Sequence, residues 1–99
     1  MEAHPGIVFR SGPAGRRPGL AAGPDVWEVA RLFRGIEARG EAAVRQAAEL
    51  TGLAPEQVRF VLRYYADYPD EIDGWIGRVD EEAALAEEAW RREQKLLRR

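Results

Sequence analysis

Apolar and small residues recur from residue 44 to residue 61 at Val44, Ala47-Ala48, Leu53, Val58 and Val61, interrupted at Thr51-Gly52. The spacing predicts a helix-turn-helix: two helices crossing at Ala48, with Gly52 in a left-handed turn between them. Upstream, Asp25 precedes a set of apolar positions at Val26, Val29-Ala30, Leu32-Phe33 and Ile36. Their near-3.6 period predicts another helix, capped by Asp25 and anchored in the core by Trp27. Gly35 and Gly40 bracket its end. The second helix is expected from about Glu41 to Thr51, and Pro55 suits the first turn of a third that continues to about Tyr68.

The two flanks read differently. Gly6-Ile7-Val8-Phe9-Arg10, the turn formers Ser11-Gly12-Pro13-Ala14-Gly15 and then Arg16-Arg17-Pro18-Gly19-Leu20 predict a β-hairpin. Its second arm contains Pro18, so that arm is expected at an edge or irregular. A two-stranded hairpin is unstable alone, which makes packing on the helices or pairing with a second copy the expectation. Beyond Pro69, a ladder alternates steps of four and three: Ile72, Ile76, Val79, Ala83, Ala86, Trp90, a polar step at Glu93, then Leu97. That is the seam of a helix that packs on another helix or lies in a groove. Gly74 and Gly77 weaken its start, where a bend or break is expected.

The fold class expected is mainly α: a short N-terminal β-hairpin over residues 1–24, a trihelical helix-turn-helix core over 25–68 and a long C-terminal helical arm over 69–99. At 99 residues the chain is one small domain with one appended element. Without cysteine it has no disulfide framework and no thiolate nucleophile, and its single histidine, His4, is read as a solvated loop residue. No metal or cofactor is expected. No apolar run reaches the roughly twenty residues that cross a bilayer, so a cytoplasmic protein with no membrane partner is the default.

The net charge of −2 is unevenly spread. Residues 1–24 carry three arginines against Glu2, residues 25–68 six arginines against seven acids, and residues 69–99 six bases against nine acids. Within the last segment the acids come first and the bases cluster at the end, which complements a helix dipole. On the third helix Val58, Val61-Leu62 and Tyr65 are expected to face inward, leaving Glu56, Gln57, Arg59, Phe60, Arg63 and Tyr64 outward. As a DNA reader, Gln57 would pair with adenine and Arg59 with guanine, while Arg45 and Arg63 would hold phosphates.

With these residues in place, the chain resembles a bacterial family of small antitoxin-like proteins, similar to some VapB-type antitoxins. The resemblance covers nearly the whole chain and rests on Gly6-Ile7-Val8-Phe9-Arg10, Gly23-Pro24-Asp25-Val26-Trp27-Glu28-Val29, the helical pair through Gly52-Leu53, and Tyr64-Tyr65-Ala66-Asp67-Tyr68-Pro69-Asp70-Glu71-Ile72-Asp73. It implies a short β-element joined to a homeodomain-like helix-turn-helix, and a PIN-type ribonuclease toxin as partner. The chain departs from a typical operator binder in that its helical pair is not basic.

The expected function is therefore an antitoxin that inhibits the ribonuclease through its C-terminal helix, with operator DNA as a further ligand and a homodimer or toxin–antitoxin hetero-oligomer as the assembly. Ile76, Val79, Trp90 and Leu97 would make the apolar contact. Arg91 and Arg92, with Arg98 or Arg99, would reach the acidic metal site of the toxin. The alternative is a transcriptional regulator that homodimerises through the same helix. An enzyme, for instance a nuclease built on Asp70, Glu71 and Asp73, is set aside: carboxylates at a helix start complement the dipole, and no base or nucleophile accompanies them.

Overall fold

A computed structural model describes residues 4–98. Glu2, counted in the N-terminal charge, and Arg99, among the cations of the arm, lie outside the described residues. Strands β1 (Ile7–Gly12) and β2 (Gly15–Leu20) pair antiparallel from Ile7 opposite Leu20 to Gly12 opposite Gly15, leaving Pro13-Ala14 as the loop. The arm with Pro18 is a regular strand, not the irregular segment it could have been. Pro18 is buried opposite Phe9, and in a two-stranded sheet each strand has a free edge, so a missing N–H need not cost a ladder bond.

Beyond β2 the chain doubles back: Gly23 N–H donates to the Leu20 carbonyl at 3.0 Å and Leu20 N–H to that of Pro24 at 3.0 Å. Helix α1 (Val26–Arg34) thus starts against the hairpin, followed by α2 (Gly40–Thr51), α3 (Pro55–Asp67) and α4 (Pro69–Leu97). Asp25 stands at the N-cap position of α1 with extended backbone, but its side chain caps nothing. The carboxylate is taken by the hairpin instead. It accepts from Arg10 Nη1 at 2.7 Å and Arg17 Nε at 2.6 Å, and Arg10 and Arg17 are cross-strand partners.

Two apolar clusters meet on α3. Leu20, Val26, Val29, Ala30, Val61, Tyr64, Ile72 and Ile76 form one, Val44, Ala47, Ala48 and Val58 the other, and Leu53 packs against both. Every other element touches α3 or the helix beside it. For this reason the expected facing of its aromatics is corrected. Tyr64, assigned to the outward face, is 4% exposed; Phe60 and Tyr65 are half-buried. The hairpin and the start of α4 cover flanks of α3 that a lone amphipathic helix would leave to water.

Two further expectations change. His4 is not solvated: its side chain is 12% exposed, its ring meets those of Tyr64 and Tyr68 edge-on at 5.1 and 5.7 Å, and Nε2 lies 3.0 Å from Asp67 Oδ2. That separation suits an ion pair when the ring is protonated, although neither ring nitrogen is aligned for a hydrogen bond. Helix α4 runs unbroken for 29 residues through Gly74 and Gly77, both exposed. Burial of Ile72 and Ile76 pins these turns and outweighs the roughly 1 kcal/mol each glycine costs in propensity.

Candidate functional site

Two surfaces carry the residues singled out above: the outer face of α2 and α3, and the distal half of α4. The α2–α3 turn is built locally. Gly52 takes φ 77° and its N–H reaches the Ala48 carbonyl at 2.9 Å. Thr51 Oγ1 donates to the Ala47 carbonyl at 2.7 Å and accepts from Leu53 N–H at 3.2 Å. The first turn of α3 is closed by Gln57, whose Oε1 accepts from Ala54 N–H at 2.9 Å. Gln57 is thus held as a capping residue, with one lone pair of its acceptor oxygen engaged.

Arg59 is also engaged, its Nη2 lying 2.6 Å from Glu41 Oε1 on α2. Of the remaining α3 side chains, Glu56, Arg63 and Asp67 are exposed, a stripe of mixed charge. Arg45 is exposed on α2. An open groove between the helices is lined by Phe33, Val44 and Leu62, with Glu41, Arg59 and Arg63 along it. The arrangement leaves Arg45 and Arg63 for phosphate contact and commits both proposed base readers to partners within the chain.

The second surface begins where α4 leaves the body. Arg31 of α1 pairs with Asp80 at 2.7 Å, and from Glu81 to Glu93 every residue of α4 is exposed. Of the ladder, Ile72 and Ile76 are buried and Val79 is half-buried, whereas Trp90 is 57% and Leu97 71% exposed. Ile76 therefore belongs to the chain's own core and is removed from the partner-binding set, because α4 spends its first turns covering α1 and α3. Arg91 and Arg92 lie beside the distal ladder, 2.8 and 3.8 Å from Glu87 and Glu88 one turn back. These are exposed pairs that a stronger acceptor can displace.

Leu85 and Leu96 were not foreseen. Both are exposed, and their separation of eleven residues places them on one face, apart from the ladder. The eleven-residue spacing was readable. Phe9 and Tyr68, also exposed, have no comparable sequence signal.

The carboxylates Asp70, Glu71 and Asp73 form no metal cradle. Tyr64 Oη donates to Glu71 at 2.7 Å and Tyr65 Oη to Asp73 at 2.5 Å, tying α3 to α4. Burial first, then the hydrogen bond to Glu71 and its charge, raises the Tyr64 phenol far above its usual range. Burial and Asp73 raise Tyr65 in the same direction. Among the described residues no group of three or more His, Cys, Asp or Glu is placed to hold a metal ion. No helix among them is long and apolar enough to cross a membrane. No family model, curated protein or solved structure matches the chain.

Proposed function

We propose that the chain is the antitoxin of a type II toxin–antitoxin pair, in which the distal half of α4 binds and inhibits a PIN-type ribonuclease. One observation carries this reading: the stripe that buries Ile72 and Ile76 in the body continues along α4 into solvent with nothing covering Trp90 or Leu97. Exposed large apolar side chains in a row mark an interaction surface. An aromatic anchor flanked by Arg91 and Arg92 suits a partner whose active site is a ring of carboxylates around a divalent metal. The guanidinium groups would exchange their weak pairs with Glu87 and Glu88 for those carboxylates, blocking the path of RNA.

Operator DNA is the second ligand in this reading, held at its backbone by Arg45 and Arg63. The test is RNA cleavage by the product of the neighbouring gene, should it have a PIN-type fold, with the wild-type chain, Trp90→Ala or the double variant Arg91→Ala/Arg92→Ala added in excess. The reading requires inhibition by the wild type and its loss in the variants. Equal inhibition by all three would move the inhibitory surface to the body.

A further inference from the structure

The charge along the exposed half of α4 is polarised well inside the helix, beyond the first and last turns where the helix dipole acts. From Asp80 to Glu88 it carries Asp80, Glu81, Glu82, Glu87 and Glu88 with no base; from Arg91 to Arg98 it carries Arg91, Arg92, Lys95 and Arg98 against Glu93 alone. The helix is acidic where it leaves the body and basic beyond Trp90. Laid parallel, two such helices set acid on acid and base on base. Laid antiparallel, each acidic half meets the other's basic half.

The ladder favours the same orientation. With α4 of two copies antiparallel and Ala86 of one opposite Trp90 of the other, Val79 falls opposite Leu97 and Ala83 opposite Glu93. Each large side chain then meets a smaller one, as knobs-into-holes packing requires. In parallel register Trp90 meets Trp90, Glu93 meets Glu93, and the layers at Ala83 and Ala86 are left thin. In the antiparallel arrangement the bodies lie at opposite ends of an overlap about 27 Å long, which begins at the half-buried Val79, where Arg31 of α1 reaches Asp80. The paired stripe is continuous with the one that already packs in the core through Ile72 and Ile76.

We infer that, when no other protein occupies α4, two copies of this chain associate through residues 79–97 in antiparallel orientation. The pair and the ribonuclease compete for one stripe, so partner binding is linked to separation of the copies. The association needs no ribonuclease. Its test contains none, and its outcome is separate from that of the inhibition assay.

The chain has no cysteine, which permits single-cysteine crosslinking of the full-length protein. Ala83→Cys and Glu93→Cys, both at exposed sites, are oxidised separately and as an equal mixture. In the antiparallel pair residues 83 and 93 are opposed, whereas two copies of residue 83 lie about 15 Å apart along the axis, too far for a disulfide. The mixed dimer is expected in high yield, and neither variant is expected to crosslink alone. Sedimentation of the wild type should show a dimer, and Trp90→Ala should weaken it at least tenfold. Efficient self-crosslinking of Ala83→Cys would overturn the orientation, and a wild type that stays monomeric at hundreds of micromolar would overturn the association.

Discussion

Arg10 Nη1 donates to Asp25 Oδ1 at 2.7 Å, and the Asp25 side chain is only 10% exposed. Its other oxygen accepts from Arg17, while Arg10 Nη2 donates to the carbonyls of Leu20 and Gly23. One acid thus ties both strands of the hairpin to the start of α1. Removing it leaves two partly buried guanidinium groups short of acceptors. Asp25→Ala is expected to cost about 2 kcal/mol and lower the melting temperature by roughly 10 °C. Asp25→Asn, which keeps one acceptor, should lose less. A melting curve unchanged by Asp25→Ala would show that apolar packing alone holds the hairpin.

Gly6 and Gly52 separate two reasons for glycine. Both have positive φ, 87° and 77°, but a Cβ on Gly52 meets open space while one on Gly6 would sit 2.2 Å from the Phe60 ring. Gly52→Ala should therefore cost only the backbone penalty of about 1 kcal/mol, and Gly6→Ala about 2 kcal/mol or more. Denaturant midpoints of both variants check the order. Adding Phe60→Ala should cost less in the Gly6→Ala background than in the wild type.

The phenols of Tyr64 and Tyr65 hold their protons more tightly in the folded chain than the ordinary value near 10. Below about pH 10 both states carry these protons and the contribution is fully present. Above that, the unfolded tyrosines ionise first and stability falls as pH rises. Thermal unfolding between pH 8 and 11 should show this loss, and Tyr64→Phe should make the alkaline limb shallower. A limb as steep in Tyr64→Phe and Tyr65→Phe as in the wild type would assign the loss to other groups.

Trp90 makes a sharp contrast between stability and binding. Because it is exposed in the single chain, Trp90→Ala should change unfolding free energy by no more than about 0.5 kcal/mol at concentrations too low for two copies to associate. On the proposed function, its truncation should weaken ribonuclease binding by about 2 kcal/mol or more, roughly thirtyfold. Calorimetry of the same variant, free and with partner, reads both. A large drop in stability without the partner would mean that Trp90 contributes to the fold of the free chain.

On the α2–α3 face, the pair between Glu41 and Arg59 restrains an arginine that DNA could use. On the proposed operator-binding reading, Glu41→Gln should release it and remove a repelling charge, raising affinity for DNA from the chain's own promoter severalfold at low salt. Arg45→Ala and Arg63→Ala should weaken all sequences alike and each reduce the salt slope by about one. Anisotropy titrations across ionic strength test this. Absence of salt-sensitive binding would leave the helical pair a structural unit.

The placement of elements was legible in the sequence because it depends on local chemistry. Gly52 ends α2 through its backbone freedom, Pro55 and Pro69 open α3 and α4 through their fixed φ and missing N–H, and the four-three ladder marks one face of α4 wherever the helix lies. Contacts between elements were decided only by the tertiary structure. The sequence shows an apolar stripe on α3 but not that the hairpin and α4 cover two further flanks, so Tyr64 turned inward against expectation. Asp25 was a cap by local rules and became a strut because register set Arg10 opposite Arg17 beside it. The ladder of α4 likewise does not say where the body ends. Its periodicity is unchanged from Ile72 to Leu97, and only the reach of α1 and α3 decides that Ile76 is core and Trp90 is surface.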